Sequence, residues 1–364
     1  MTGYPADHKV LPAGDDAAKR VLIVRTGAMG DVLHALPAVT ALRRAHPDWF
    51  IGWAIEPRWS GLLQSSSSAG GSGATRGPQM PVVDRWYDAN TSVWKRSGLS
   101  GQTLEDVNRL RRRLRGERFD LCVDLQGSIR SGVIGRMSGA RRFVGSAAPR
   151  EGPARWLYTE RVQVHRLHVI EQGCALLGAA VGLTLAPESV SLPQDEGAEA
   201  WCCRLLEGSG PIVLLAPTAG WGAKIWPAAR YGAVARALGE AGYRVLVNAA
   251  GDGDVTALEV VEESGGAAEM VSCSVEQLIA LMRRVALVVA GDTGPLHLAA
   301  ALGRPVVGLY GPTDPARNGP YGTQARVLRH SDSRTSHARL IEAEAGLLRI
   351  GVDEVVSAAM EMLG

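Results

Sequence analysis

Val21-Leu22-Ile23-Val24, followed by Thr26-Gly27-Ala28-Met29-Gly30-Asp31-Val32-Leu33-His34, is the stretch that decides the fold. A short β-branched run leads through glycines into helical apolar spacing, which predicts a strand, a tight turn and a helix. The same order occurs downstream, where Leu287-Val288-Val289 precedes Gly291-Asp292-Thr293-Gly294-Pro295-Leu296-His297. A helix N-terminus has unpaired backbone N–H groups that suit an anion. The two turns therefore predict a cleft between two lobes that uses both.

Short apolar runs alternate with helical patterns along most of the chain. The patterns predict strands at 21–25, 50–55, 121–125, 212–216, 244–248, 286–290 and 305–309. Helices are predicted at 31–46, 104–114, 227–240, 255–263, 275–284 and 295–302. Such alternation indicates parallel sheets with helices on both faces and ligand sites at the carboxyl ends of strands. The predicted fold class is α/β, with two doubly wound parallel-sheet lobes facing a central cleft.

Composition shifts divide the chain into segments. Residues 1–18 are predicted to be a flexible N-terminal extension, and residues 19–185 the first lobe. The Ser- and Gly-rich stretch 65–78 cannot bury a face and is predicted to be a loop. A Pro-containing crossover at 182–197 leads into the second lobe, residues 186–340. We expect 341–364 to form a C-terminal helical segment that packs back on the first lobe.

Length and composition limit the class of protein. With 364 residues, of which 46% are hydrophobic, the chain can form two ordinary cores. Its five cysteines are odd in number and lack CxxC spacing, which argues against a disulfide framework or zinc site. The charged first twenty residues do not resemble a signal peptide, and no apolar run approaches the roughly 18–20 residues of a membrane span. We expect a soluble, cytoplasmic protein.

The net charge of +2 conceals an asymmetry between the two halves. Residues 1–185 carry 25 Lys and Arg against 16 Asp and Glu, whereas residues 186–364 carry 14 against 21. Two interpretations stay open: drift between two ordinary surfaces, or a first lobe that faces an anionic acceptor or a negatively charged leaflet. Nucleic acid is not an expected partner, because the basic residues are not interleaved with aromatics.

Two residues of the first turn are candidates for chemistry. Asp31 stands where a helix-capping residue belongs, so capping alone explains an aspartate there. The preceding residues Gly27, Ala28 and Gly30 are small, as though the backbone must approach another group closely. The turn lacks the GxGxxG dinucleotide fingerprint. His34 lies one turn further along, either as an ordinary helix histidine or as part of a site.

The second half offers three further turns. Residues 218–227 follow a strand and contain Thr218 and Lys224, which is either a solvated loop charge or a phosphate-binding lysine. Gly251-Asp252-Gly253-Asp254 could bind sugar hydroxyls or serve as ordinary turn and cap chemistry. Residues 291–297 give the strongest signal, because a phosphate on the amides after Asp292 would explain each residue type there. Isolated basic residues also follow strands of the first lobe: Lys95, Arg96, Arg130 and Arg150.

Four motifs in order resemble the heptosyltransferases of glycosyltransferase family 9. They are Met29-Gly30-Asp31-Val32-Leu33-His34, Lys224 and Trp226 before Pro227, Asp292-Thr293-Gly294 with His297, and Tyr310-Gly311-Pro312-Thr313-Asp314-Pro315. The resemblance covers residues 20–320 and implies the two-lobed GT-B fold. It also implies an enzyme that transfers L-glycero-D-manno-heptose, with inversion, from ADP-heptose to the lipopolysaccharide inner core. The first motif is most similar to the member that acts on Kdo-lipid A.

The resemblance also implies roles for residues of this chain. Asp31 would be the general base, and the donor would bind Thr218, Lys224, Asp254, Asp292, Thr293, Gly294 and His297. Asp254 is the nearest acid to the position where the family has a Glu for the ribose. The acceptor side would use Gly30, His34, Lys95, Arg96, Arg130 and Arg150. No metal would be required, and Mg²⁺ would at most stimulate the reaction. The enzyme would work as a peripheral protein at the cytoplasmic face of the inner membrane. Alternatives are a family member with another donor or acceptor, and a GT-B-like sugar-nucleotide epimerase.

Overall fold

The computed structural model describes residues 19–66, 76–98, 100–336, 338 and 340–364. The predicted N-terminal extension and most of the predicted loop at 65–78 lie outside the described residues.

The first lobe has one parallel sheet, of six strands in the described residues, in the order β3-β2-β1-β4-β5-β6. Its strands are β1 (Arg20–Val24), β2 (Phe50–Ile55), β3 (Arg85–Asp88), β4 (Leu121–Asp124), β5 (Arg142–Ser146) and β6 (Glu160–Val162). Its helices are α1 (Met29–Ala45), α2 (Thr91–Ser97), α3 (Gly101–Gly116), α4 (Ile129–Ser138) and α5 (Val169–Val181). The central strand β1 is apolar and buried, as expected for a sheet covered on both faces.

The second lobe repeats this plan, with the strand order β12-β11-β10-β7-β8-β9 over the described part of the chain. The strands are β7 (Ile212–Ala216), β8 (Arg244–Ala249), β9 (Ala268–Ser272), β10 (Leu287–Gly291), β11 (Val306–Leu309) and β12 (Ala325–Leu328). The helices are α6 (Glu196–Leu205), α7 (Ala228–Glu240), α8 (Val255–Glu263), α9 (Val275–Met282), α10 (Gly294–Ala301), α11 (Pro315–Asn318) and α12 (Val352–Leu363). The predicted α/β fold class with two doubly wound lobes is confirmed.

The C-terminal helix α12 packs on the second lobe, so the expected return to the first lobe is wrong. It contacts α7 and strands β10, β11 and β12. Val355 and Ala359 are buried in the same core as Trp226, a residue of the second lobe. The preceding chain is also held there, because Trp226 Nε1 and Arg230 Nη1 donate hydrogen bonds to the Ile350 carbonyl, at 3.2 and 2.8 Å. The apolar face of α12 thus covers the sheet of its own lobe.

The lobes meet through the two helices that follow the glycine-rich turns. Helix α1 packs against α10, and α9 packs against a 3₁₀ turn of the first lobe, Pro57–Leu62. Met29 and Leu33 of α1 share one buried core with Leu296 and Leu298 of α10. The two turns singled out by the sequence therefore face each other directly.

Candidate functional site

A cavity of about 1120 Å³ lies between the lobes, at the carboxyl ends of their central strands. The first lobe contributes residues 28–31, His34 and 57–61. The second contributes residues 218–221, Lys224, 248–250, 273–276, 292–295 and His297. The structure thus brings together nearly all the candidates from both glycine-rich turns and from the 218–227 turn. This position is where open parallel sheets bind their ligands.

Asp31 is both a capping residue and a cleft residue. Its Oδ2 accepts a hydrogen bond from the Ala28 backbone N–H at 3.1 Å, which closes the first turn of α1. Its Oδ1 pairs with Arg25 Nη2 at 2.6 Å, while about a third of the side chain stays exposed in the cleft. The sequence expectation of an N-cap at Asp31 is wrong in position, because the N-cap is Ala28 and Asp31 is the third residue of α1. The same carboxylate nevertheless closes the first turn of the helix and lines the cleft.

Arg25 is a functional candidate that sequence reasoning missed. Besides the ion pair, its Nε donates to the Asp31 carbonyl at 3.1 Å and its Nη1 to the Leu125 carbonyl. The side chain is mostly buried, so the guanidinium holds the Asp31 carboxylate in one orientation. The only sequence signal was a basic residue at the end of a buried strand, directly before the glycine-rich turn.

The small residues of the two turns are required by contact between the lobes. A Cβ at Gly30 would lie 2.7 Å from His297 Cδ2, and a Cβ at Gly294 would lie 2.6 Å from Met29 Sδ. The close approach expected at the first turn is thus made to the opposite lobe. A larger residue at Gly30 or Gly294 would therefore displace the side chain of His297 or Met29 from the opposite lobe.

Four side chains form a hydrogen-bonded network across the interface between the lobes. Lys224 Nζ pairs with Asp292 Oδ2 at 2.5 Å. The other oxygen of Asp292, Oδ1, lies 2.9 Å from His297 Nε2. His297 Nδ1 then lies 3.2 Å from His34 Nε2, which belongs to the first lobe. His34, expected on the acceptor side, is therefore connected to the residues expected to bind the donor.

Burial and neighbouring charges shift the pKa values of residues in this network. Burial, followed by the nearby His297 and Arg25, holds the pKa of His34 well below its ordinary value. For Asp292, burial favours the protonated form, but the hydrogen bond and charge of His297, together with Lys224, outweigh it and lower its pKa. At neutral pH the lowered pKa values therefore favour a neutral His34 and an ionised Asp292.

The depressed pKa of His34 predicts a pH dependence of stability. The unfolded chain binds a proton on this histidine below its ordinary pKa, but the folded protein does not, so stability falls as pH decreases. Between roughly pH 7 and pH 5 the loss is at most about 1.4 kcal/mol per pH unit. We expect His34→Gln, which keeps a hydrogen-bonding side chain beside His297, to reduce this pH dependence in chemical unfolding. His330→Gln, at the surface, is the control; equal slopes in all three proteins would contradict the prediction.

Thr218, Asp254 and Thr293 occupy different environments. Thr218 lines the cavity and donates to Asp254 Oδ2 at 2.6 Å. Asp254 caps α8 by accepting the Ala257 N–H at 3.2 Å, and it does not line the cavity. Burial opposes its ionisation, but hydrogen bonds from Ala250 and Thr218 outweigh this and lower the pKa of Asp254. Thr293 lines the cavity, and within the described residues its Oγ1 is buried without a hydrogen-bond partner.

The four basic candidates of the first lobe do not line the cavity. Lys95 and Arg96 are exposed on α2, Arg130 is exposed on α4, and Arg150 is exposed after β5.

A second cleft carboxylate, Glu276, was missed by sequence reasoning, since an acid in the first turn of a helix is ordinary capping composition. A Cβ at Gly61 would lie 2.7 Å from Glu276 Oε1, so this side chain reaches the opposite lobe.

Two doubly wound parallel-sheet lobes with a ligand-sized cleft between them define the class of the protein by its fold, an α/β protein of the GT-B type. Comparison with known families gives the next step. The family model "Glycosyltransferase family 9 (heptosyltransferase)" matches residues 107–345, and the chain belongs to that family.

Curated relatives and solved structures agree with this membership. The chain is 28% identical to lipopolysaccharide heptosyltransferase 1 of Salmonella typhimurium, over 83% of this chain and 92% of the relative. The Pseudomonas aeruginosa protein of the same name is 29% identical, over 83% of this chain and 81% of the relative. The structure of E. coli heptosyltransferase WaaC with ADP superimposes with a TM-score of 0.75, at 23% identity, over 94% and 99% of the chains.

The fold is also shared beyond heptosyltransferases. A UDP-GlcNAc 2-epimerase from Methanocaldococcus jannaschii superimposes with a TM-score of 0.53 at 10% identity, over 95% of this chain and 93% of that one. This likeness concerns the fold alone.

Proposed function

We propose that the protein transfers L-glycero-D-manno-heptose, with inversion, from ADP-heptose to Kdo-lipid A of the lipopolysaccharide inner core. The observation that carries this proposal is the placement of Asp31 in one cavity with Lys224 and the N-terminus of α10. A carboxylate on one lobe and a cationic, amide-rich site on the other are what transfer from a nucleotide sugar needs. The names of the curated relatives, lipopolysaccharide heptosyltransferases, support the substrates.

The donor diphosphate fits the second lobe. Lys224 lines the same cavity as Thr293, Gly294 and Pro295, the residues at the N-terminus of α10. The positive end of the helix and the lysine would stabilise the charge that develops on the leaving ADP. Since Lys224 pairs with Asp292 in this structure, the diphosphate has to compete with, or join, that ion pair. The site needs no metal in this proposal, and Mg²⁺ would at most stimulate.

The acceptor hydroxyl is placed on the first lobe, beside Asp31. Its carboxylate accepts the proton while the hydroxyl oxygen attacks the anomeric carbon and the bond to the diphosphate breaks. Arg25 keeps the carboxylate aimed into the cleft. Contact between α1 and α10 holds the lobes around the reacting groups, which limits competing hydrolysis of the donor.

The lipid-linked acceptor places the enzyme at the cytoplasmic face of the inner membrane as a peripheral protein. Among the described residues no helix is both long and apolar enough to cross a bilayer. The basic surplus of the first lobe suits an acceptor with carboxylates and phosphates.

The proposal is tested by mixing the protein with ADP-heptose and Kdo-lipid A and following both ADP release and the lipid product. We expect ADP release that depends on the acceptor, and ADP should bind at least about tenfold more tightly than UDP or GDP, a difference of about 1.4 kcal/mol. Consumption of a nucleotide sugar without acceptor would indicate an epimerase. Preference for another nucleotide would indicate a different donor within the family.

A further inference from the structure

Three large apolar side chains are exposed together on the first lobe, away from the cavity lining. Trp156 is 66% exposed, Ile129 44% and Val133 43%. Ile129 and Val133 are one turn apart on α4, so they lie on the same face of that helix. Trp156 belongs to the 3₁₀ turn Gly152–Leu157, which packs against α4. We call the surface formed by these three residues the α4 patch.

The α4 patch is held rigidly. A Cβ at Gly132, on the same stripe of α4, would lie 2.6 Å from Leu157 Cδ1, so the helix and the 3₁₀ turn are in close contact. Beneath them the buried Asp124 accepts hydrogen bonds from Ser131 Oγ at 2.8 Å and Tyr158 hydroxyl at 2.9 Å. One carboxylate thus ties α4 and the end of the 3₁₀ turn to the sheet. Among the described residues, the three apolar side chains are therefore fixed in an exposed position.

Basic side chains surround the patch. Arg130 and Arg136 are exposed on α4, and Arg155 lies with its guanidinium carbon 5.5 Å from the Trp156 ring centroid. Arg161 Nε donates to the Arg155 carbonyl at 3.0 Å, which places a further cation beside it. One acid, Glu151, lies beside the patch, and its carboxylate accepts the Ile129 N–H at 2.8 Å. The patch is therefore apolar at its centre and predominantly positive at its rim.

The patch is connected to the catalytic turn by one segment of chain. Just before α4, Gln126 Oε1 accepts hydrogen bonds from both the Thr26 N–H at 2.7 Å and the Thr26 hydroxyl at 2.8 Å. Thr26 opens the glycine-rich turn that carries Asp31. The segment that leads into α4 is therefore hydrogen-bonded to the turn that carries Asp31.

We infer that the α4 patch is the surface by which this protein docks on an anionic lipid bilayer. A tryptophan among arginines matches the boundary between acyl chains and negative headgroups, where the indole is stable and the cations meet phosphate. The inference rests on the proposed function for one point, that the acceptor is a lipid. Docking by the α4 patch would bring the first lobe to the lipid headgroups. The acceptor could then react while it stays in the membrane.

The first test measures sedimentation of the full chain with vesicles that contain no acceptor. Vesicles of phosphatidylcholine with about one third phosphatidylglycerol are compared with pure phosphatidylcholine. We expect binding to the anionic vesicles, and about tenfold or greater loss in the triple variant Ile129→Ser, Val133→Ser, Trp156→Ser. The matched control is Val255→Ser with Leu258→Ser, which removes exposed apolar residues from α8 of the acidic second lobe. Equal losses in both variants would overturn the inference.

The second test measures the contribution of the basic rim to vesicle binding separately from that of the apolar centre of the α4 patch. Arg136→Ser with Arg155→Ser should weaken binding by several-fold and reduce its salt dependence, because each basic residue near an anionic surface contributes to attraction. Quenching of tryptophan fluorescence by brominated lipid should decrease in Trp156→Phe. Quenching unchanged in Trp156→Phe would show that another surface touches the bilayer, and no vesicle binding at all would favour a soluble partner.

Failure of the docking inference and failure of the proposed function are distinguishable. On detergent-dispersed acceptor the triple variant should turn over like the unmodified protein, since none of its residues lines the cavity. On acceptor embedded in anionic vesicles its rate should fall in proportion to the lost binding. Vesicle binding without any transfer would contradict the proposed function alone, and transfer without vesicle binding would contradict the docking surface alone.

Discussion

Asp31→Asn is expected to lower kcat for heptose transfer by about 10²–10⁴-fold, the usual contribution of a general base. The amide cannot take up the acceptor proton at neutral pH, whereas its oxygen can still accept the Ala28 N–H that Asp31 Oδ2 binds. ADP affinity should stay near that of the unmodified protein, because Lys224 and α10 are unchanged. Steady-state kinetics with both substrates give kcat, and titration calorimetry with ADP gives the ADP affinity.

The capping role of Asp31 requires its own control. Asp314→Asn alters a capping aspartate at the start of α11, where Oδ1 accepts the Ala316 N–H at 2.9 Å, and this residue does not line the cavity. We expect both variants to lose a similar, small amount of stability, about 1 kcal/mol or less. Only Asp31→Asn should lose turnover. Near-normal kcat in Asp31→Asn would leave capping as the function of this carboxylate.

The central parts of both sheets could be predicted from the sequence because they are apolar and bounded by glycine-rich turns. The strands predicted at 50–55 and 212–216 and the helix at 255–263 have the same bounds in the structure. The edge strands β3, β6, β9 and β12 were not predicted. They are short and partly exposed, so hydrophobic periodicity gives them little signal; β6, for example, has three residues and no buried one.

The contacts between the lobes could not be predicted, because they join residues far apart in the chain. His34 and His297 are 263 positions apart, and nothing in either motif indicates that their rings meet. Gly30 was correctly noted as a site of close approach, but only the structure identifies the other lobe as its neighbour and shows the same for Gly294. The placement of α12 failed for the same reason: an amphipathic helix shows that it needs an apolar surface, but not which one.

Lys224→Ala is expected to weaken ADP binding by about 10- to 100-fold while changing adenosine binding little. A charge-assisted hydrogen bond contributes about 1.5–3 kcal/mol, and only ADP carries the charge that the ammonium binds. Turnover should fall further, by about 10²–10³-fold, because the same charge stabilises the departing diphosphate. Calorimetry with the two ligands and steady-state kinetics measure these effects.

Lys224→Ala also removes the ion pair with Asp292. The experiment therefore has to separate the loss of ADP binding from the loss of protein stability. Without the ammonium, the buried Asp292 loses its ion pair and keeps its hydrogen bond with His297, so the variant should also be less stable at neutral pH. Because destabilisation would weaken ADP and adenosine alike, the ratio of their two affinities isolates the phosphate contact. Lys95→Ala, an exposed lysine that does not line the cavity, is the matched control and should leave that ratio unchanged. Equal losses for ADP and adenosine in Lys224→Ala would mean that this lysine stabilises the second lobe through Asp292 rather than binding the donor diphosphate.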